Sequence, residues 1–318
     1  MSSIRYIAIL TLVITTIGVI MSMDGTSIHP PSGVVLVATN RELRAVYFFQ
    51  PDGKLINVST EKPLIRYKGR YYNGFIFSFY NYLGKRYSGK ISICGKFSIE
   101  PIKGMEPFPH NDFNWFKILY IDQDALYFTA TPNKHSRHKY TRSVVTYKLD
   151  RLNHKIKEID LNYSGDGASA VPDKVYYSNP SYNIYVHKDG KDINTGLQGV
   201  EPSVSPDGRY LAFMGSSFFT FLKAIYLHDF QSGNTKLVTW NLISTFEKDI
   251  IWSPDSKYFG IRERSDISSP PLKLYKASTA KIDAEIDYIP FYFMISEDEY
   301  KKIRQECNYA QTQEANAD

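Results

Sequence analysis

The chain has 318 residues, 43% of them hydrophobic and 22% charged, with a formal net charge of +5. At roughly 100 to 200 residues per domain this leaves room for one large or two ordinary domains, and the composition excludes a disordered chain and a polytopic membrane protein. The 25 Tyr and 19 Phe against 6 Met lean toward β structure, where aromatic side chains fill a pleated, half-buried surface. Two cysteines, Cys94 and Cys307, are too few for a disulfide scaffold or a cysteine-rich zinc module.

The first segment is set apart by its lack of charge. After Arg5 no charged residue appears until Asp24, and the 18 residues from Tyr6 to Met23 are mostly Ile, Leu, Val and Thr. As a helix this run spans about 27 Å, just under the roughly 30 Å bilayer core, so residues 1–23 read as a secretory signal or a single membrane anchor. A basic residue before the run and an acidic one after it direct the body outward, which predicts an exported protein, periplasmic or extracellular. Residues 24–33 read as a linker, stiffened by His29-Pro30-Pro31-Ser32-Gly33.

From Val34 onward the chain returns to one pattern. Strand groups are expected at Val34 to Ala38, Ala45 to Phe49 and Lys54 to Val58. A second group follows at Leu64 to Tyr67, Gly74 to Phe79, Lys90 to Cys94 and Phe97 to Ile102, and a third at Trp115 to Ile121, Ala125 to Thr129, Ser143 to Leu149 and Lys155 to Leu161. The fourth begins at Val171-Pro172-Asp173-Lys174 and continues through Asn183 to Lys188 and Asp192 to Thr195. The last two are nearly superimposable: Pro202 to Phe213 around Ser205-Pro206-Asp207-Gly208, and Asp249 to Ile261 around Ser253-Pro254-Asp255-Ser256, each followed by two more strands. Four strands per roughly 45 residues is the period of a β-propeller blade.

The recurring turn has a physical reason. Proline sets φ for the first central position, aspartate bonds backbone N–H groups two residues on, and glycine accepts the positive φ that closes the connection. Proline lacks a donor, so it belongs at a strand end. These residues resemble the TolB-type (WD40-like) β-propeller repeat, whose signature is Ser-Pro-Asp-Gly between the first two strands of a blade. Ser205, Pro206, Asp207 and Gly208 match it fully; Ser253, Pro254 and Asp255 match three of four positions; Pro172 and Asp173 keep the core of the turn. The first two groups share only spacing and strand pattern. The six strand groups between Val34 and Asp287, about 42 residues each, together with this resemblance give the expectation of an all-β, six-bladed propeller of four-stranded antiparallel blades over residues 34–296. A spare segment, 291–295, is expected to close the first blade, and a short helix and tail over 297–318 start at a capping box of Ser296 and Glu299. Between Met23 and Val34 there is no room for the α/β domain that precedes the propeller in TolB itself, and the chain has no Gly-x-Ser-x-Gly elbow.

The motifs of other chemistries fail one by one. Gly84 to Lys90 imitates a phosphate-binding loop, but Ile91 stands where Ser or Thr would hold magnesium. His135 and His138 have a metal-ligand spacing yet sit among Lys134, Arg137 and Lys139, whose charges oppose a cation. Asp122 with Asp124, and Asp189 with Asp192, lack a calcium-loop signature. No catalytic residue, metal or cofactor is expected.

Charge distribution is more telling. Residues 24–160 hold 21 Lys and Arg against 12 Asp and Glu, a net of +9, whereas residues 161–318 hold 16 against 21, a net of −5. The densest basic run, Lys134 to Lys157, has eight cations and one Asp. The expectation is a module that binds a protein or an anionic envelope component (phospholipid or polysaccharide) through Lys134, Arg137, Lys139 and Arg142. Export disfavours nucleic acid. The alternative is a propeller enzyme of lyase, glycosidase or peptidase type, acting on a polysaccharide or peptide in the axial funnel.

Overall fold

A computed structural model describes residues 29–39, 45–59, 66–67, 76–80, 86–92, 98–101, 113–121, 124–132, 144–153, 155–161, 167–216, 223–241, 250–262, 272–286, 291–298, 300–302 and 304–305. The expected signal or anchor over 1–23, and Glu299 of the expected capping box, lie outside these residues. Among the described residues no helix is long and apolar enough to cross a membrane.

Short runs rich in Val, Ile, Tyr and Phe, separated by turn residues, form strands, and these pair into six four-stranded antiparallel sheets. Sheet 1 holds Val34–Thr39, Ala45–Phe49, Leu55–Ser59 and the last strand of the chain, Phe291–Ser296. Sheet 2 holds Arg66–Tyr67, Ile76–Tyr80, Arg86–Ser92 and Ser98–Pro101. Sheet 3 holds Phe113–Ile121, Ala125–Pro132, Val145–Asp150 and Lys155–Ile159. Sheet 4 holds Ser169–Val171, Lys174–Ser178, Asn183–Lys188 and Lys191–Gln198. Sheet 5 holds Val200–Val204, Tyr210–Ser216, Lys223–Asp229 and Asn234–Asn241. Sheet 6 holds Ile250–Trp252, Tyr258–Arg262, Leu272–Lys276 and Lys281–Ile286.

In sheets 2 to 6 the order in space follows the order in sequence. Sheet 1 differs, because Phe291–Ser296 takes the first place and pairs antiparallel with Val34–Thr39, from Val34 opposite Ser296 to Thr39 opposite Phe291. This pairing covers an edge of the first strand that would otherwise be open to other chains.

The core lies between the sheets. Leu119 and Tyr127 of sheet 3 pack on Val175 and Tyr177 of sheet 4. Ile184 of sheet 4 meets Leu211 and Phe213 of sheet 5, Ala212 and Ile225 of sheet 5 meet Phe259 and Ile261 of sheet 6, and Leu274 and Ile286 of sheet 6 meet Leu36 and Met294 of sheet 1. The described side chains therefore join five sheets as consecutive propeller blades. The expectation of six blades is corrected to that extent: five blades, sheets 3 to 6 and 1, pack through described side chains, while for sheet 2 only the backbone pairing is described. Outermost strands are exposed, as the patterns of Lys155–Ile159 and Lys191–Gln198 show.

Two local expectations change. The fourth strand of sheet 4 does not stop at Thr195. Gly196, at φ +76°, forms a bulge in which Thr195 Oγ1 donates to Ile184 O at 2.7 Å and Gly196 N donates to Asn194 Oδ1 at 2.8 Å, so pairing resumes at Gln198 opposite Asn183. The phosphate-loop mimic is also resolved in kind, since Arg86–Ser92 is a strand paired with Ile76–Tyr80.

Each sheet has two ends. At one, which we call the turn end, tight turns join the first strand to the second and the third to the fourth in sheets 4 to 6, and Ala45–Phe49 to Leu55–Ser59 in sheet 1. At the other, the connector end, lie the links from the second strand to the third and from one sheet to the next.

Candidate functional site

The Ser-Pro-Asp turns sit at the turn end. In sheet 5, Ser205 Oγ donates to Asp207 Oδ1 at 2.6 Å and accepts the Tyr210 N–H at 2.8 Å, and Asp207 Oδ1 also accepts the Arg209 N–H at 3.0 Å. Sheet 6 repeats this with Ser253 Oγ to Asp255 Oδ1 at 2.7 Å, Tyr258 N to Ser253 Oγ at 2.9 Å and Lys257 N to Asp255 Oδ1 at 3.1 Å. Both serines are fully buried. A buried hydroxyl without partners is costly, so each serine completes its own turn and is not a free nucleophile. Burial pushes the Asp255 carboxyl up, but the Ser253 and Lys257 donors outweigh it and the pKa falls below the ordinary value.

The third turn, at Pro172-Asp173, joins two blades. Asp173 Oδ1 accepts from Tyr127 Oη at 3.2 Å and from Lys148 Nζ at 3.1 Å, both in sheet 3. The Lys148 ammonium, chiefly, holds the Asp173 carboxyl below its ordinary range. Beside the sheet 5 turn, Arg209 grips Asp229 through two N–H groups at 3.1 and 3.0 Å, which depresses the Asp229 pKa strongly. These acids and bases are spent on the turns themselves, a structural duty.

The binding candidates Lys134, Arg137, Lys139 and Arg142 lie outside the described residues, as do His135 and His138. In sequence they fall between the strands Ala125–Pro132 and Val145–Asp150. Asp189 and Asp192 do not converge on a cation. Asp192 Oδ1 lies 2.8 Å from His187 Nδ1, whereas Asp189 is exposed in the next turn, 3.9 Å from Lys188. Among the described residues no group of three or more His, Cys, Asp or Glu is placed to hold a metal ion.

The first strands of the sheets carry features that sequence reading missed. Ser169 Oγ accepts the Val204 N–H at 3.0 Å, Ser203 Oγ donates to Ile250 O at 3.3 Å and accepts from Trp252 Nε1 at 3.2 Å. Between them stands Glu201, half-buried at φ +52°, a backbone region that a non-glycine residue rarely adopts, where the pairing of Val200–Val204 shifts register. The Glu201 side chain lies against Gly167, where an added Cβ would come within 3.3 Å of it. Residues held in sparsely populated backbone conformations cluster at functional sites, although Ser256 and Ala280 show the same sign of φ in structural turns. No turn signal marks Glu201 in the sequence.

No protein-family model matches the chain, and no curated protein matches it in sequence. Among solved structures the chain is similar to TolB from Acinetobacter baumannii, with a TM-score of 0.53 at 14% identity over 84% of this chain and 67% of that one. The chain has the TolB-type β-propeller fold. Looser likenesses include a protein assigned as TolB from Agrobacterium tumefaciens (TM-score 0.43, 13% identity, 83% of this chain and 98% of that one). Another is oligogalacturonate lyase from Vibrio parahaemolyticus (TM-score 0.42, 8% identity, 80% and 79%). At such identities the likeness concerns the fold alone.

Proposed function

We propose that this TolB-type propeller is an exported binding module that recognises an acidic protein face or another anionic envelope component. The uncharged run from Tyr6 to Met23 behind Arg5 carries the export reading. The conspicuous Ser and Asp residues of the repeat turns, Ser205 with Asp207 and Ser253 with Asp255, are engaged in closing those turns. Recognition is assigned to the basic link bearing Lys134, Arg137, Lys139 and Arg142, the densest cationic stretch of the more basic half of the chain.

Phe291–Ser296 is taken as the inner strand of the first blade, which it closes by pairing with Val34–Thr39. Deleting residues after Pro290 then uncovers the edge of Val34–Thr39 and should give an aggregating protein. A truncated chain that remains monomeric with an unchanged melting transition contradicts ring closure.

Exposed charge pairs contribute little each, but several cations facing one anionic surface add up and are screened by salt, with a Debye length of about 8 Å at physiological strength. Replacing Lys134, Arg137, Lys139 and Arg142 together with Gln should slow association with the partner and flatten its salt dependence, with the fold intact. An unchanged on-rate and salt slope rejects this assignment. The second reading, an enzyme working in the axial funnel, is favoured by one observation, the strained Glu201 on an innermost strand. Turnover of a polysaccharide or peptide by the wild type that is lost in Glu201→Gln would establish it.

A further inference from the structure

Side chains directly opposite in paired antiparallel strands share a face, so the registers assign each outer residue of sheets 4 and 5 to one side. On sheet 5, Leu237 stands opposite Tyr226 and Trp240 opposite Ala224, and Tyr226 packs on the cluster shared with sheet 4. Residues three apart in a regular strand face opposite ways. Here the register shifts at Val238, and this bulge turns Leu237 and Trp240 toward sheet 4 together while Val238 packs toward sheet 6. Phe230, at the turn end of the same wall, packs on Tyr176 of sheet 4 with ring centroids 5.8 Å apart. On sheet 4, Ile193 stands opposite Val186, which joins the same cluster with Leu197. The cleft between the outer parts of these two blades is therefore lined by Ile193, Phe230, Leu237 and Trp240, each 37% to 50% exposed. Four of the eight large apolar side chains exposed among the described residues face this one cleft. Its neighbour between sheets 5 and 6 differs, because Lys236, opposite Leu227, spans it and donates from Nζ to Ser278 O at 2.9 Å.

Beside the apolar strip runs a row of cations. Lys174, Lys188 and Lys191 stand opposite one another across three strands of sheet 4, two residues along from Tyr176, Val186 and Ile193 and on the same face. Lys188 and Lys191 are exposed and Lys174 is half-buried. Of the nearby acids, Asp189, 3.9 Å from Lys188 Nζ, offsets one of the three charges. Asp192 lies with His187 on the face toward sheet 3, and Asp229 is held by Arg209.

We infer that this cleft is a docking site for an extended acidic and apolar segment of a partner protein. Its apolar side chains lie along Leu237 and Trp240, and its carboxylates meet the lysine row at the turn end. Like charges directly opposite in a sheet destabilise it, and carboxylates on Lys188 and Lys191 relieve that repulsion through charge-assisted hydrogen bonds. Facing sheets stand about 10 Å apart, so the space between the walls holds one extended chain and excludes a helix, which is about 10 to 12 Å across. From Phe230 to Ala224 the sheet 5 wall runs for roughly 20 Å, the reach of about six extended residues. The site shares no residue with the basic link Lys134 to Arg142. It takes from the proposed function only the compartment in which the partner is met.

The probe is a pool of fluorescein-labelled peptides, two Glu followed by three repeats of an apolar residue (Val, Ile, Leu or Phe) and Ser, with the reversed pool to sample both chain directions. Titrated with the full chain in nonionic detergent, an acidic pool should bind in the micromolar range, and exchanging its two Glu for Lys should weaken binding about tenfold or more. Leu237→Ser combined with Trp240→Ser should weaken every pool about tenfold or more. Ile282→Ser, at an equally exposed apolar residue opposite Tyr275 and outside the cleft, should bind as the wild type does. Lys188→Gln with Lys191→Gln should remove most of the preference for Glu over Lys and flatten the salt dependence, with the melting transition unchanged. The quadruple Gln variant of the basic link should bind as the wild type does, which separates this inference from that assignment. Absence of binding by both acidic pools up to about 1 mM overturns the inference. Equal losses in Ile282→Ser and in the cleft pair, or loss of binding in the link variant, also overturn it. A wild type that dimerises in sedimentation and becomes monomeric in Leu237→Ser with Trp240→Ser does the same, since a second copy is then the occupant.

Discussion

The backbone N–H of Asp207 in the sheet 5 turn donates to Ser256 Oγ in the sheet 6 turn at 3.1 Å. Ser256 occupies the position where the neighbouring turn has Gly208; both have positive φ, +61° and +73°, and Ser256 is only 2% exposed. The serine therefore accepts a strained backbone conformation and in return links two blades.

This relationship separates two substitutions. Ser256→Gly relieves the strained φ and loses the link, so the two effects of roughly 1 kcal/mol each offset one another. Ser256→Ala keeps the strain and leaves the Asp207 N–H without its acceptor, a loss of about 1 to 2 kcal/mol. Chemical denaturation should place Ser256→Ala clearly below wild type and Ser256→Gly close to it. The reverse order would mean that the link does not bear on stability.

Acid should weaken the turn end in a defined direction. The Arg209 guanidinium, foremost, holds the Asp229 carboxyl below the ordinary range, and Lys148 does the same for Asp173. A carboxylate with a depressed folded pKa contributes stability that is present above its unfolded value of about 3.9 and is lost as pH falls toward the folded value. Asp229→Asn removes that contribution. The stability gap between wild type and Asp229→Asn should be largest near neutral pH and should narrow as pH falls below about 4; a gap that stays constant over this range contradicts the assignment.

Two glycines differ in why they are needed. Gly196 has φ +76° and open space around it, so Gly196→Ala meets only the backbone preference, about 1 kcal/mol. Gly199, the single residue between sheets 4 and 5, would place a Cβ 2.5 Å from Met214 O and from the Phe213 ring. Because a backbone oxygen cannot rotate aside, Gly199→Ala should cost roughly 2 to 3 kcal/mol. Equal melting shifts for the two variants would contradict this reading of the close approach.

What could be read in the sequence follows from the range of the interactions. Ser205-Pro206-Asp207-Gly208 and Ser253-Pro254-Asp255 announce their turns because every bond that closes them lies within five residues. The alternating apolar runs announce strands for the same reason. The bulge at Gly196 was illegible, since a glycine in a strand reads as a stop until its partner strand is known. The contacts of Asp173 with Lys148, 25 residues away, and of Asp207 with Ser256, 49 away, depend on how blades meet and leave no local trace. Glu201 was missed because a carboxylate in a strand carries no turn signal; its positive φ emerges only from the shifted register of Val200–Val204. The basic link from Lys134 to Arg142 was conspicuous in sequence through charge alone.

Everything assigned to this propeller outside its fold depends on the body lying beyond the cytoplasmic membrane. The direct measurement is a pair of fusions after Asp318, one to a reporter active only in the cytoplasm and one to a reporter active only after export. The uncharged run behind Arg5 predicts that the cytoplasmic reporter is silent and the exported one active. Strong cytoplasmic activity with a silent export reporter would contradict the account and return nucleic acid to the candidate partners.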